Sequence, residues 1–346
     1  MSDLKTDSIF LKNLRGEACD RTPIWVMRQA GRYLPEYQEV RSRMSFNELC
    51  RTPEAACEVT LQPIRRFGFD AAIMFSDILT PLEAMGAPFD FSKGGPKLER
   101  PIRSEDEIDA LHNYEPLEGT GFVADAIKLM KEGLGDKTPL IGFAGSPFTL
   151  ATYLIEGGGS KDFATLKAML YTRPELLDRL MAKLTDQTLA YLRMQAEAGV
   201  DAIQLFDTWG GILHPADYVK VVLPCVKKIM EGLKDTGLPR IYFLKGSAPY
   251  NHLIKDLDVE AFGVDWTQDL SRAIDEMGGK AVQGNLDPLA LFGTHKQIQE
   301  RALEICRKGA AANGHVFNLG HGITPPTPIP AVEALVETVQ NFRKGQ

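Results

Sequence analysis

The feature that most constrains the fold of this sequence is a regular alternation of short apolar runs with longer helical patterns. The runs are apolar throughout rather than alternating with polar residues, which is typical of parallel strands buried on both faces. The eight predicted strands span residues 23–28, 71–75, 140–144, 202–206, 241–244, 263–266, 281–284 and 315–319. Because the composition does not change between these units, they predict one (β/α)8 TIM barrel, an α/β fold whose active-site cleft lies at the carboxyl ends of the strands.

The domain organisation follows from the same pattern. A chain of 346 residues could hold two ordinary domains or one large barrel. We predict a single barrel domain over residues 1–346, with residues 1–22 as an N-terminal arm that contains a short helix. The alternative is a doubly wound open sheet. That fold usually carries a glycine-rich dinucleotide turn after its first strand, and Arg28-Gln29-Ala30-Gly31 is not one.

Helix boundaries are marked by capping residues, prolines and glycines. Thr52 and Pro53 predict the start of a helix that ends at Gly68, and Thr172-Arg173-Pro174-Glu175 has the form of a capping box that opens a helix ending at Gly199. Further helices are predicted near residues 120–134, 215–235, 250–257, 270–277, 295–309 and 330–343. Residues 86–103, rich in Gly, Pro and basic side chains such as Lys93, predict a loop excursion that could act as a flap.

The composition excludes several classes of protein. A net charge of −7 argues against general binding to nucleic acid, so positive charge for an anionic ligand must be concentrated in a pocket. The five cysteines are scattered without a Cys-x-x-Cys pair, which is typical of a reduced cytoplasmic protein. The N-terminal segment has no apolar core typical of a signal peptide. Residues 138–155 lack charge but are interrupted by prolines and glycines, so a buried strand and loop are predicted there instead of a membrane helix.

A ring of polar side chains is predicted at the carboxyl ends of the eight strands. Its members are Arg28, Asp77, Ser146, Thr208, Lys245, Asp265, Asp287 and His321. Each of these residues could instead have a purely structural role. Asp77 could cap the following helix, and His321 could be a structural hydrogen-bond donor. Tyr153 could likewise serve packing, and the Thr208 hydroxyl could bond to the backbone. No Walker motif, nucleophile elbow or metal triad is present in the sequence, so no cofactor and no metal are predicted.

The segment that follows the first strand carries three arginines. Arg28 and Arg32 are four residues apart, and Arg41 lies beyond them. Gly31 and Pro35 interrupt the segment, so we expect a loop rather than a long helix. Guanidinium groups bind carboxylates bidentately and stay charged at any working pH, so this loop suits a ligand with several carboxylates. The alternative is that these arginines are surface residues or internal ion-pair partners.

Five segments of the chain resemble signature segments of the uroporphyrinogen decarboxylase family. They are MRQAGRYLPEY at 27–37, TLQPIRRF at 60–67, FSDIL at 75–79, TYLIEGGGS at 152–160 and FNLGHGI at 317–323. With matches spread from residue 23 to residue 323, the resemblance covers nearly the whole chain. It implies a (β/α)8 barrel that forms a homodimer. It also implies cofactor-independent removal of carbon dioxide from the four acetate side chains of uroporphyrinogen III, giving coproporphyrinogen III in haem biosynthesis.

The resemblance also implies roles for charged residues. Arg28 and Arg32 match the two arginines that bind substrate carboxylates, and Arg41 matches a third basic position nearby. Asp77 matches the aspartate that contacts the pyrrole NH groups and stabilises positive charge on the ring. We expect Asp77 and Arg28 to be catalytic. The proton donor is left open between Arg28, a substrate carboxyl group and a water molecule.

Four further residues are expected to contact the substrate. Tyr153 and His321 match the active-site tyrosine and histidine of the family. Tyr37 stands where some members have Phe, and Thr208 stands where some have Ser, which keeps a hydroxyl group at that position. The substitutions affect packing and hydrogen bonding around a substrate arm rather than the reaction.

Two other functions compete with decarboxylation. Related barrels transfer methyl groups with zinc held by His and Cys, and this chain has no evident His-x-Cys pair. A non-catalytic carrier of tetrapyrroles or polyanions is the second alternative. The joint presence of Arg28, Arg32, Asp77, Tyr153 and His321 argues against a loss of catalysis.

Overall fold

The computed structural model describes residues 8–91 and 95–343. Residues 1–7 of the predicted arm and Lys93 of the predicted flap lie outside these ranges. The strands are β1 (Ala72–Ile73), β2 (Phe89–Asp90), β3 (Lys97–Leu98), β4 (Leu140–Gly145), β5 (Ala202–Asp207), β6 (Arg240–Leu244), β7 (Ala261–Gly263), β8 (Ala281–Gln283) and β9 (His315–Val316).

The helices separate these strands and cover the outside of the sheet. They are α1 (Ile9–Leu14), α2 (Pro35–Arg43), α3 (Phe46–Arg51), α4 (Pro53–Phe67), α5 (Thr80–Ala84), α6 (Glu105–Ala110), α7 (Pro116–Leu134), α8 (Pro147–Glu156), α9 (Ala164–Thr172), α10 (Pro174–Ala198), α11 (Pro215–Asp217), α12 (Leu223–Gly232), α13 (Asn251–Ile254), α14 (Leu270–Glu276), α15 (His295–Gly309) and α16 (Ile329–Asn341). Short 3₁₀ turns span Gly210–Ile212, Lys234–Thr236 and Pro288–Phe292, and a π-helical turn at Tyr218–Val222 joins α11 to α12.

Seven strands form one parallel sheet in the order β1-β4-β5-β6-β7-β8-β9. The segment around Ile24 closes this sheet into a barrel. Phe317 N, just past β9, donates to Pro23 O at 2.8 Å, and Asp70 N, just before β1, donates to Ile24 O at 2.8 Å. Residues 23–25 therefore fill the place of the first of eight strands, and the predicted parallel α/β barrel is confirmed.

Side chains fill the interior of the barrel, so it is a packed core rather than a channel. Phe206 packs edge-on against Phe143 and Phe243, with ring centroids 5.6 and 5.9 Å apart. A buried polar chain crosses the same interior. Trp25 Nε1 donates to Gln283 Oε1 at 2.9 Å, and Gln283 Nε2 lies 3.0 Å from the amide oxygen of Gln204.

Several predicted boundaries are wrong. The sixth barrel strand is Ala261–Gly263, not 263–266, and the arginine segment continues into helix α2, because Pro35 occupies the first helical turn, where its missing N–H costs nothing. Helices α8 and α9 were not predicted. Thr52 precedes α4 but makes no side-chain capping bond.

The predicted flap contains regular structure. Strands β2 and β3 pair there as a short antiparallel hairpin, and Leu98 N donates to Gly157 O at 2.9 Å, so the hairpin is docked on the glycine-rich turn after α8. Across residues 8–91 and 95–343, no helix combines the length and apolar character that a membrane crossing requires.

Candidate active site

Arg28 stands at the carboxyl end of the first barrel strand in a backbone conformation that is unusual for a residue with a side chain. Its φ is 65°, and the flanking chain is fixed because Met27 N donates to Asn318 Oδ1 and Ile323 N donates to Met27 O, both at 2.9 Å. Such a conformation costs free energy and persists only where the surroundings impose it. The side chain lies across Gly322, where an added Cβ atom would stand 2.8 Å from Arg28 Cγ.

The guanidinium groups of this segment differ in their pairing. Arg66, on α4, forms an internal ion pair with Glu36 at 2.6 Å. This is the structural role that was the alternative to ligand binding for the arginines after the first strand. Arg28 and Arg32 are exposed, and neither forms an ion pair with any residue that the structure describes. Their positive charge is therefore available to an anionic ligand.

Arg41 is partly committed to its own helix. Its guanidinium donates to the carbonyl of Met44, just beyond the end of α2, and lies 6.0 Å from the ring centroid of Phe46. Tyr37, one turn earlier on α2, is buried with its ring 5.7 Å from that of Phe75. Burial raises the pKa of the Tyr37 hydroxyl, and the charges of Arg41 and Arg32 oppose that rise. These two arginines and Tyr37 are therefore neighbours.

Asp77 follows β1, and its side chain bonds to the backbone just before the next helix, which is the structural role that the sequence allowed. Its Oδ1 accepts from Leu79 N at 2.8 Å, which shapes the turn before α5. Asp77 as a residue is partly accessible and lines a pocket with Cys50, Phe89 and Phe91, and protein atoms crowd its carboxyl group. Burial raises the pKa of Asp77, while the Leu79 N–H and the charge of Arg28 act in the opposite direction. The second carboxyl oxygen is left for a ligand.

Tyr153 and His321 border the same cleft. Burial raises the pKa of Tyr153, the Asp77 charge raises it further, and Trp209 and Arg28 oppose the rise. His321 lies between Gly320 and Gly322 on the loop after β9. Burial lowers the pKa of His321 to about 4, and the charges of Arg28 and Lys245 act in the same direction. The imidazole is therefore neutral near pH 7.

Three other residues of the predicted strand-end ring, Thr208, Ser146 and Asp287, form no hydrogen bond with Arg28, Asp77, Tyr153 or His321 among the described residues. Thr208 is partly accessible beside Trp209, with no hydrogen bond that ties it to the residues above among those the structure describes. Ser146 is fully buried and lies beside Asp207. Asp287 caps its own turn by accepting from Leu289 N at 2.9 Å. The structure thus groups Arg28, Asp77, Tyr153 and His321, with Lys245 near the last of them.

Sequence reasoning assigned Lys245 no role and overlooked its neighbours. The Lys245 ammonium group stands 5.3 Å from the ring centroid of Trp209 and 5.9 Å from that of Trp266. The signal was present in the sequence, because two predicted strands end in similar segments, Phe206-Asp207-Thr208-Trp209 and Val264-Asp265-Trp266. Each places a tryptophan just after a strand-end aspartate.

Comparisons with known proteins cover almost the full chain. The model of the family described as "Uroporphyrinogen decarboxylase (URO-D)" matches residues 5–342. A uroporphyrinogen decarboxylase of Myxococcus xanthus is 48% identical over 330 residues, which are 95% of this chain and 94% of that one. A uroporphyrinogen decarboxylase of Syntrophotalea carbinolica is 48% identical over 340 residues, which are 98% of this chain and 99% of the other.

Two solved structures share the fold at much lower identity. A methyltransferase from Methanosarcina mazei superimposes with a TM-score of 0.83 at 21% identity, covering 98% of each chain. A putative vitamin-B12 independent methionine synthase from Listeria monocytogenes gives a TM-score of 0.54 at 11% identity and covers 94% of this chain and 97% of that one. At these identities the likeness shows the fold alone. Among the described residues of the present chain, no three His, Cys, Asp or Glu side chains lie together as metal ligands would.

Proposed function

The chain belongs to the uroporphyrinogen decarboxylase family, and from this premise we propose how its cleft performs the reaction. The activity is decarboxylation of uroporphyrinogen, a step of haem biosynthesis in which four acetate side chains become methyl groups. One observation carries the assignment of residues: the Arg28 side chain lies against Gly322, next to His321, and Phe89 of the Asp77 pocket lies edge-on to Tyr153 with ring centroids 6.4 Å apart. We infer that these four residues, from three loops and helix α8, line one cleft.

The reaction needs an electron sink. When the bond between the acetate methylene carbon and its carboxyl carbon breaks, carbon dioxide leaves and the electron pair stays on the methylene carbon. A pyrrole ring protonated at its α-carbon accepts that pair. Proton transfer to the methylene carbon and proton loss from the ring then give the methyl group and restore the pyrrole. No organic cofactor or metal is required by this balance, and the proposal is cofactor-independent.

Asp77 stabilises the positive ring in this scheme. Its free carboxyl oxygen accepts hydrogen bonds from the pyrrole NH groups, and its negative charge favours the protonated ring. Burial raises the pKa of Asp77. Hydrogen bonds from the substrate NH groups favour the ionised form and lower that pKa again. Substrate binding and ionisation of Asp77 are therefore coupled.

The arginines and the polar residues around them hold the side arms. Arg28 and Arg32 bind carboxylates because no protein carboxylate occupies them in the described structure, and Arg41 contributes with the donors that Met44 leaves free. Tyr37, Tyr153 and Thr208 orient arms by hydrogen bonds, and neutral His321 does the same. Because the pKa of His321 is about 4, the proton donor is Arg28, a substrate carboxyl group or a water molecule rather than His321.

The same proposal extends to assembly and location. The family resemblance supports a homodimer, a cytoplasmic location and a single barrel domain over residues 1–346. Equilibrium sedimentation at micromolar concentration tests the first of these. A mass equal to one chain of 38.3 kDa would contradict the dimer.

Product analysis tests the proposed function directly. Metal-stripped protein is incubated without oxygen with reduced uroporphyrinogen, and products are separated by chromatography and weighed by mass spectrometry. We expect successive loss of four carbon dioxide units. Binding of the substrate without any turnover would support the carrier function instead, and turnover that returns only on adding zinc would contradict a cofactor-independent reaction.

Asp77→Asn tests the assigned role within the same assay. The amide oxygen can still accept from Leu79 N, so the turn is kept while the charge is lost. We expect the rate to fall by about 10²–10³-fold, as for other groups that stabilise transition-state charge. Asp287→Asn is the matched control, because Asp287 is also a strand-end aspartate that accepts from the backbone two residues on, from Leu289 N. Equal rates for the two variants would contradict the role of Asp77.

A further inference from the structure

Lys245 is a cation at the strand ends that the proposed function leaves unused. It follows β6, is half-buried, and its ammonium group lies between the indole rings of Trp209 and Trp266 at 5.3 and 5.9 Å from their centroids. It forms no ion pair with any residue in the described ranges. The Asp265 carboxyl group does not pair with Lys245 and accepts instead from the backbone N–H groups of Gly246 and Thr267.

Two buried aspartates hold the tryptophans on either side of Lys245. The Asp207 carboxyl group accepts from Gly210 N at 3.0 Å, Thr149 Oγ1 at 2.8 Å and Tyr242 OH at 2.8 Å, and so fixes the loop that carries Trp209. Asp265 accepts from the backbone N–H of Gly246 and from Thr267 N, the latter at 2.7 Å, and so fixes both the loop that carries Lys245 and the loop that carries Trp266.

These contacts leave Lys245 preorganised. Because both carboxyl groups accept hydrogen bonds from these donors, neither forms an ion pair with the ammonium group. The two indoles attract the cation through their π faces while restricting its movement. A charge held in place without a counterion is suited to bind an anion from solution, since little side-chain freedom remains to be lost on binding.

The barrel topology places this charge opposite the arginines. The strand at Ile24 is the first of the eight in the closed ring, and β6 is the fifth, so three strands lie between them in either direction. Arg28, Arg32 and Arg41 follow the first strand. A macrocycle that carries carboxylates around its whole rim therefore meets positive charge on two facing walls of the cleft.

We propose that Lys245 binds a propionate carboxylate of the substrate on the wall opposite Arg28. This inference rests on the proposed function. The arm that reacts lies near Asp77 and Arg28, so the arm at Lys245 is one that does not react in that turnover. Acetates disappear one by one over the four turnovers, whereas propionates remain in every intermediate. Only a propionate can supply the same contact each time.

Lys245→Met tests this assignment, because Met keeps an unbranched apolar side chain between the indoles and removes the charge. The ligands are reduced uroporphyrinogen and its tetrapropionate product, coproporphyrinogen. Binding can be followed by tryptophan fluorescence, since two of the three tryptophans flank Lys245 and the third, Trp25, is buried in the barrel. We expect affinity for both ligands to fall about tenfold, with kcat nearly unchanged and a shallower dependence of KM on salt.

Two matched variants accompany it. Lys245→Arg keeps a cation between the indoles and should retain most of the affinity. Lys228→Met makes the same chemical change on the outer face of α12, where Lys228 pairs with Asp186 at 2.5 Å, and should leave both affinities unchanged. Thermal unfolding of all three variants verifies that they are folded.

Each outcome decides the assignment. Unchanged affinity of Lys245→Met for both ligands overturns it. Weaker binding of uroporphyrinogen alone overturns the choice of a propionate, because it shows a contact with an acetate. A lower kcat at unchanged affinity overturns the binding role. Failure of the wild-type protein to decarboxylate would contradict the proposed function, and the binding comparison would still decide the place of Lys245.

Discussion

Gly322→Ala should disable Arg28 without altering any group that contacts the substrate. Gly322 needs no positive φ, so its backbone accepts alanine, and the obstacle is the Arg28 side chain. The new Cβ atom would stand 2.8 Å from Arg28 Cγ, 2.9 Å from Nε and nearer still to Cδ. Carbon atoms in ordinary contact are about 3.5 Å or more apart. The shortfall is therefore about 0.7 Å at Cγ and larger at Cδ.

The expected loss follows from this displacement. Since the backbone at Arg28 is held by hydrogen bonds on both sides, the side chain must move, and its guanidinium group shifts by about 1 Å. A misplacement of that size costs about 10²-fold in rate, or about 2.7 kcal/mol of transition-state stabilisation. The cost to folding is smaller, because an exposed arginine can adopt another rotamer for about 0.5–1.5 kcal/mol.

The assay is the rate of carbon dioxide loss from uroporphyrinogen, with kcat and KM determined separately, together with the free energy of unfolding in urea. Gly121→Ala is the control, because nothing lies within 4 Å of the Cβ position at Gly121 on α7. That control should keep full activity and gain up to about 1 kcal/mol of stability from the better helix propensity of alanine.

A double-mutant cycle decides the cause. In an Arg28→Ala background the added methyl group has no side chain to displace, so Gly322→Ala should bring no further loss. An equal loss in both backgrounds would refute the reasoning, because the methyl group would then act through the loop or through His321. Activity within about twofold of wild type in the single variant would refute it as well, since the position of Arg28 would not limit the reaction.

Two further predictions concern buried carboxyl groups. In the proposed mechanism Asp77 acts as the ionised carboxylate, and burial raises its pKa, so kcat/KM should fall as the pH drops through that raised pKa. This acid limb should lie above the usual range of an aspartate and be missing from the pH profile of Asp77→Asn; an identical limb in the variant would assign it to the substrate. Tyr242→Phe removes a donor at 2.8 Å from fully buried Asp207 and should lower the free energy of unfolding by about 1.5–3 kcal/mol in urea titrations. A change below about 0.5 kcal/mol would show that Asp207 does not depend on that hydroxyl.

The sequence predicts the barrel because its signals are local and repeated. Apolar runs and glycine-capped helices recur along the chain, and Gly68 indeed ends α4 with a φ of 66°. The failures occur where a local signal has two meanings. Pro35 was interpreted as an interruption, although proline also suits a first helical turn, and the run Gly263-Val264 continued the apolar pattern past the end of the strand.

For the candidate site, the sequence proposes members but does not predict their geometry. The expectation that polar residues at the carboxyl ends of the strands form the site selects Arg28, Asp77 and His321. It also selects Asp287, which caps its turn. The left-handed backbone at Arg28 could not be foreseen, because nothing in a non-glycine residue favours it. It is imposed by Asn318 and Ile323, nearly 300 residues later in the chain. The pairing of Lys245 with two indoles likewise depends on three different strands.

The acidic and basic residues at the strand ends have different partners. Asp77, Asp207, Asp265 and Asp287 each accept a backbone N–H from the loop that follows them, at Leu79, Gly210, Thr267 and Leu289. The acids are thus used to shape loops, and the cations of the same rim are left without acidic partners in the described structure. A protein of net charge −7 can in this way present a positive cleft. Replacing a strand-end aspartate by alanine, which removes the acceptor, should therefore disorder its loop, whereas replacing a rim cation should cost affinity for a polycarboxylate and leave the fold intact.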